Sequence, residues 1–306
     1  MTKITCKNVF YIKLGRNGIW EALSIENNVM RIGWASQALS DINAGNWDKI
    51  KKELEEEINN KGVATRDYNA LRMICESTSQ DIWIAFHGNY LWWARVKEKI
   101  IYEDKISKYR KVDKWRNTNI LGEPLIINNI SGRISKIQGF RGTVCKVKEV
   151  DELVRLINSE ESPEYLAILQ SKQRLCRDVE QAIKLLHWKD FETLVDLVFR
   201  GSGWRRVSVL GETMKFSDIE LEDPINNELY QVQIKSYSSF KEFDKYLKEF
   251  DGKKYRKLFF VVHTPDKKLS SIKINPMDNV QLILSGKLAE MVVELGLTNW
   301  LMRKIK

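Results

Sequence analysis

Two periods of apolar residues alternate along this chain. Short β-branched and aromatic runs bounded by Gly, Asn or Asp recur through the first half: FYIKLG (10–15), MRIGWA (30–35), DIWIAFHG (81–88), YLWWARV (90–96), PLIIN (124–128) and GTVCKV (142–147). Runs of this length and composition predict strands. Gly88 and Asn89 lie between the third and fourth runs and predict a hairpin turn. Trp47, Ile50, Leu54 and Ile58 recur at helical spacing behind Asn46 as a cap and stop before Gly62. A second helix is expected over 66–76, with Leu71, Ile74 and Cys75 inward.

The pattern changes after residue 158. In NSEESPEY, Ser162 suits an N-cap, Pro163 the first helical position and Glu164 the first turn, so a long helix is expected from 163 to about 186. Phe191, Leu194, Val195 and Val198 form a core-facing stripe at i, i+3, i+4, i+7, ended by Gly201 and Gly203. Strands are expected at WRRVSVL, SDIELED and LYQVQIKS, then a helix (FKEFDKYLKEF), a buried strand (KLFFVVHT), a strand (NVQLILS) and a last helix (KLAEMVVELGLTNWLMRK). With 306 residues the chain is long enough for two cores, and the expected domains are 1–158 and 163–306, α/β in class and α+β overall.

Composition narrows the setting. No run of 18 apolar residues occurs and MTKITCKNVF lacks an apolar stretch behind its basic start, so a cytoplasmic protein with no membrane partner is expected. Cys6, Cys75, Cys145 and Cys176 are scattered, as are His87, His187 and His263; this argues for reduced thiols and against structural zinc. The net charge of +9 is lopsided: residues 1–150 hold 25 Lys/Arg against 17 Asp/Glu, whereas 151–306 hold 25 against 24. A basic first half points to a polyanionic partner.

The chemistry is concentrated between 190 and 236. Hydrolysis of a phosphodiester needs a cation to neutralise charge growing in the transition state; Mg²⁺ (or Mn²⁺) suits this and takes oxygen ligands. Glu192 lies on the amphipathic helix, Asp218 is an isolated acid in KFSDIEL, and Gln233 and Lys235 stand two apart in QVQIKS, hence on one strand face. Asp218, the Gln233 side-chain oxygen and the Ile234 carbonyl are the expected metal ligands. Lys235 would place the attacking water and meet developing charge, Glu192 would orient water or help a second ion, and Ser236 would touch the phosphate.

This stretch resembles the PD-(D/E)xK nuclease superfamily, specifically its Mrr-like restriction endonucleases. The matching residues are Phe191-Glu192, Asp218 and Gln233-Ile234-Lys235, and the likeness spans about 185–300. The resemblance implies an α-β-β-β-α-β core and an endodeoxyribonuclease. Gln233 replaces an acid, a variant familiar in that branch, and leaves one carboxylate fewer for the cation.

Seven of the ten tryptophans lie in the first half, several in expected strands. Aromatic faces can hold an extruded base by stacking while basic side chains take the phosphates. Trp20, Trp34, Trp83, Trp92 and Trp93 are the candidates for a base pocket. Arg133 and Arg141 are expected on the backbone, with Arg110, Lys111, Lys114, Arg116 and Lys136 beside them. Asp81 and His87 are considered for the base edge. His263 reads as a satisfied interior histidine. Element order in this half is similar to the PUA-like superfamily, implying a β-barrel-type domain with helices that reads modified bases.

Together these readings give a modification-dependent restriction or phage-defence nuclease working as a homodimer. An RNA-directed nuclease and a non-catalytic reader of modified nucleic acid are the alternatives, separable by substrate and by Mg²⁺ dependence.

Overall fold

The computed structural model describes residues 3–207, 218–274 and 279–306, and the chain divides into two compact units, 1–163 and 164–306. All four cysteines are free. Among the described residues no helix is long and apolar enough to cross a membrane.

Among the described residues of unit 1 there are seven strands: β1 (Val9–Ile12), β2 (Val29–Ile32), β3 (Ile82–His87), β4 (Tyr90–Ala94), β5 (Val96–Glu103), β6 (Lys108–Val112) and β7 (Val144–Lys146). Its helices are α1 (Glu21–Glu26), α2 (Leu39–Ala44), α3 (Trp47–Glu57), α4 (Lys61–Glu76), α5 (Gly132–Ser135) and α6 (Val150–Ile157). One sheet runs β4-β3-β1-β7, with β1 and β3 parallel; the other runs β2-β6-β5 and is antiparallel. Strands β1 and β3 are covered on both faces, which is why they read as unbroken apolar runs. Phe10, Ile12, Trp83 and Ala85 enter one core, while Val9, Tyr11, Ile82 and Ile84 enter the other.

The barrel-type expectation is corrected: among the described residues of unit 1 there are two open sheets and no closed barrel. Met30, Ile32, Ile101 and Val112 of the three-stranded sheet share a core with Phe10 and Trp83 of the other. The two sheets therefore bury their faces around one shared core. The hairpin at Gly88-Asn89 forms, pairing His87 with Tyr90 around a Gly88 φ of 60°. PLIIN is not a strand; Tyr90 and Ile126 make one isolated bridge and a 3₁₀ turn follows at Ile127–Asn129. Helix α4 begins five residues before the expected start, because the Asn60 side chain accepts from the Gly62 and Val63 amides and caps it.

Unit 2 begins with α7 (Pro163–Ile183) and α8 (Trp188–Gly201), followed by β8 (Arg205–Arg206), β9 (Ile219–Glu222) and β10 (Leu229–Ser238). Helix α9 (Phe240–Glu249), β11 (Lys257–Pro265), α10 (Lys267–Ser270), β12 (Val280–Leu284), α11 (Ser285–Glu294) and α12 (Thr298–Ile305) complete it. The sheet order is β12-β11-β10-β9-β8, parallel from β10 to β12 and antiparallel at β8 and β9. The strand expected at WRRVSVL is seen at 205–206, and the part beyond 207 lies outside the described residues. The expected single last helix breaks at Gly296, whose φ of 68° is left-handed. On β11, Phe259 and Val261 pack with α8 and α11 residues, whereas Phe260 and Val262 pack with Phe243 of α9 and Leu269 of α10.

Candidate functional site

At the edge of the unit 2 sheet, β9 stops pairing where β10 continues. The last pair is Ile219 with Val232, and the Asp218 amide still donates to the Val232 carbonyl at 3.1 Å. The Asp218 carboxylate then turns onto β10: its Oδ2 accepts from Gln233 Nε2 at 2.5 Å and from the Ile234 amide at 2.6 Å. A strand residue sends its N–H and C=O to the same side. The Ile234 carbonyl therefore lies on this same edge, past the last paired residue of β9.

Strand alternation sorts the side chains. Ile234 is buried among Phe191, Leu194 and Val232, beneath α8. Gln233 and Lys235 share the opposite face. Gln233 is 2% exposed, and its Oε1 has no partner among the described residues. An orphaned buried carbonyl oxygen costs free energy unless a ligand meets it. Ser236 falls on the face opposite Lys235, so its expected place beside the phosphate is corrected.

Lys235 lies 3.8 Å from Glu242 Oε1, and its ammonium sits over the Tyr246 ring at 5.4 Å. Burial works against its charge, but the Tyr246 hydroxyl and the charges of Asp218 and Glu242 outweigh burial and hold Lys235 above the ordinary lysine value. Both α9 residues escaped the sequence reading, although Glu242 and Tyr246 are four apart on an amphipathic stretch. Ser239 caps α9 by accepting from the Glu242 amide, and Ser238 Oγ donates to the Glu242 carboxylate at 3.0 Å. Those two contacts fix the acid beside the lysine.

Glu192 reaches the same cluster from α8. Burial raises its pKa above the usual carboxylate range and the Asp218 charge raises it further, against Arg206, Lys235 and Lys189. Asp218 is raised as well: burial outweighs the hydrogen bonds from Ile234 and Gln233 and the Lys235 charge. The fold thus gathers Asp218, Gln233 and Ile234 in contact and sets Lys235 and Glu192 within their field. Among the described residues no three His, Cys, Asp or Glu side chains cluster as a ready-made metal cage. The donor set for a hard divalent cation is instead one carboxylate, one amide oxygen without a partner and one edge carbonyl, which fits such an ion with water completing the shell.

In unit 1 the tryptophans separate by burial. Trp83 is 0% exposed, fills the core and donates to Ser77 Oγ. Trp93 is also buried, with Nε1 on the Thr118 carbonyl, and Trp92 packs on the core with Nε1 on the His87 carbonyl. Burial removes Trp83 and Trp93 as stacking faces, whereas Trp92 is half-buried. Trp20 and Trp34 do line a cavity of about 640 Å³, with Arg141 on its wall; Arg133 is exposed away from that wall.

Other candidates hold the fold together. Asp81 accepts from Asn8, the Thr78 amide and the Thr78 hydroxyl, and His87 meets Glu21 at 3.0 Å. Arg110 is buried against the end of α4, so its expected phosphate contact is corrected. Lys111 pairs with Glu98, Arg116 with Asp113 and Lys136 with Glu149. His263 is only half satisfied: Nδ1 meets Thr264 Oγ1 at 2.8 Å, Nε2 has no partner among the described residues, and burial lowers its pKa.

No protein-family model matches this sequence, and no curated protein resembles it closely enough to count as a relative. Two solved structures are similar in part. One is the DNA modification-dependent restriction endonuclease AspBHI, with a TM-score of 0.31 and 10% identity over 73% of this chain and 68% of that one. The other is the MspJI restriction endonuclease in complex with a 27-mer oligonucleotide, with a TM-score of 0.27 and 13% identity over 79% of this chain and 69% of that one. Likeness at this level carries no argument about activity, which must come from the site.

Proposed function

We propose that unit 2 is a Mg²⁺-dependent (or Mn²⁺-dependent) endonuclease of the PD-(D/E)xK, Mrr-like kind. In this reading unit 1 selects DNA carrying a modified base, for restriction or phage defence. One observation carries the proposal: Asp218 is bonded to both the side chain of Gln233 and the backbone of Ile234, beside a buried Gln233 Oε1 without a partner and a charged Lys235 on the same face. The order α8-β8-β9-β10-α9-β11 supports it, because it delivers acid, amide and lysine to one edge of a sheet. A divalent ion held there supplies Lewis-acid polarisation of the scissile phosphate. Asp218 contributes the carboxylate, with Gln233 Oε1 and the Ile234 carbonyl as neutral ligands. Lys235 offers its ammonium to the attacked phosphate, and Glu192 is placed to orient the water.

The test is a digest of genomic DNAs bearing different methylated or hydroxymethylated bases, with Mg²⁺ and with chelator, alongside RNA. Fragmentation of a modified DNA that chelator stops is the expected result. Cleavage of RNA alone, or of nothing, removes the proposal. Two centres are needed to cut both strands, so a homodimer is proposed; a monomer by sedimentation that still cuts both strands overturns that part.

Gln233→Glu offers a sharper check on the ligand assignment. Gln233 Nε2 now donates to Asp218, so an acid there sets two carboxylates against each other, while adding an anionic ligand for the cation. Expected are a lower melting temperature in chelator, a larger Mg²⁺-induced rise, and half-maximal cleavage at lower Mg²⁺. Equal Mg²⁺ requirements in both proteins would place the ion elsewhere.

A further inference from the structure

We propose that Trp188 stacks on the base of a nucleotide next to the scissile phosphate, with Lys189 on the adjoining backbone, so that the DNA strand held by unit 2 is unpaired at that point. This deepens the reading of unit 2 as a nuclease and rests on it. Trp188 opens α8 and heads its apolar stripe: Phe191, Val195 and Phe199 follow at i+3, i+7 and i+11, and all three are buried in the unit 2 core. Trp188 keeps the register of that stripe yet is 51% exposed. The first turn of α8 therefore carries a core-type residue past the edge of the core. A large aromatic ring left open in this way offers stacking surface to a ligand.

Helix geometry sets this ring beside the candidate site. Trp188 and Glu192 stand at i and i+4, on one face of α8, with about 5–6 Å between their Cβ atoms. A helical side chain leans toward the N-terminus, so the Glu192 carboxylate lies over the turn that bears Trp188 and Lys189. The electrostatics agree: the Lys189 charge acts on Glu192, as do those of Asp218, Arg206 and Lys235. Lys189 Nζ is 5.2 Å from the centre of the Trp188 ring, and the His187 ring lies 5.4 Å away, tilted by 40°. Lys304 of α12 pairs with Asp190 at 2.8 Å and ties this turn down, while His187, Trp188 and Lys189 stay exposed. An open ring among basic side chains is the combination that grips an unpaired strand, base on ring and phosphate on cation. Inside a duplex both faces of a base are already stacked on their neighbours. A tryptophan reaches such a face only at an end, a nick or an extruded nucleotide. Stacking of this kind takes any base, because every base has a π-face.

The experiment uses DNA probes carrying 5-iodouracil, in one at an unpaired overhang nucleotide and in the other at the same position within a full duplex. The whole chain, in chelator, is irradiated with each probe, and mass spectrometry locates the adduct. The overhang probe is expected to attach at Trp188 and the duplex probe to leave it untouched. Trp188→Leu should abolish that adduct and weaken binding of the overhang probe by about 10-fold, with a melting temperature near wild type. Trp188→Phe should keep affinity within about 3-fold, because a smaller ring still stacks. Lys189→Gln should lower the slope of log affinity against log salt by roughly one. Adducts confined to other residues, or equal affinity of wild type and Trp188→Leu, overturn the assignment. An adduct with the RNA form of the probe and none with DNA overturns the choice of DNA. Cleavage in Mg²⁺ is read separately. A protein that attaches at Trp188 but cuts nothing removes the nuclease reading and keeps the strand contact, whereas cutting without the adduct removes the contact alone.

Discussion

Asp218→Asn is expected to lower Mg²⁺-dependent cleavage by about 10³-fold or more, the several kcal/mol that a correctly held cation contributes to a transition state. The variant should nonetheless fold. An asparagine oxygen can accept the two bonds that Oδ2 now takes from Gln233 and Ile234, so the sheet edge keeps its geometry. Only the negative charge goes. Lys235→Ala is expected to match the loss of activity while keeping the Mg²⁺-induced rise in melting temperature, because its ammonium is not a metal ligand. Undiminished cutting by either protein sinks the assignment of the site.

The same carboxylate makes a prediction about pH. Burial raises the Asp218 pKa above its unfolded value, and burial with the Asp218 charge raises Glu192. Between the unfolded and the raised values the folded protein binds more protons than the unfolded chain, so metal-free stability falls as pH rises through that window. Below the unfolded values both states are protonated and the penalty vanishes. In chelator, Asp218→Asn should therefore melt higher than wild type at neutral pH, and the advantage should disappear at acid pH. Mg²⁺ should raise the melting temperature of wild type but not of Asp218→Asn, as expected for a ligand that binds only the folded state through that carboxylate. A variant no more stable than wild type at neutral pH contradicts this account of the buried charge.

Arg110→Leu is expected to destabilise unit 1 by roughly 3–5 kcal/mol, on the order of 10 °C in melting temperature. The Arg110 guanidinium is 1% exposed and closes the end of α4. Nη1 donates to the Ile74 carbonyl and to Ser77 Oγ, Nη2 to the Ser77 carbonyl at 2.9 Å, and Nε to the Glu98 carbonyl at 2.7 Å. These include last-turn carbonyls of a helix, which no backbone amide can reach. Leucine fills part of the volume and removes a donor from each carbonyl, leaving the Ile74 oxygen with only the Ser77 hydroxyl. Arg110→Lys should recover only part of the loss, since one ammonium cannot span acceptors on both α4 and β5. Denaturant unfolding monitored by tryptophan fluorescence measures it, and a loss below about 1 kcal/mol would mean that water reaches these carbonyls instead.

How much of this was legible depended on whether polarity and position agreed. β1, β3, β10 and β11 were clear because both their faces are covered, so burial writes an unbroken apolar run. The β5–β6 hairpin was missed for the opposite reason. VKEKIIYE and KYRKV look like solvated, charged loops, yet Lys108 and Arg110 point inward and are buried. Their charges are matched by carbonyls that only the folded chain brings near. The tryptophans show the same limit: five were equivalent in sequence, and two, Trp83 and Trp93, are buried in the core with structural hydrogen bonds.

By itself the sequence determined which segments could be strands and helices, that the chain changes character after residue 158, and that Gln233 and Lys235 share a face of one strand. Those facts follow from local periodicity, which a linear string carries in full. Tertiary structure alone decided that the Asp218 carboxylate turns onto β10, that Glu242 and Tyr246 flank Lys235, and that Asp67 and Gln37 join Trp20 and Trp34 around one cavity. Each of these depends on partners distant in sequence, whose meeting is set by how sheets stack and where strands stop pairing.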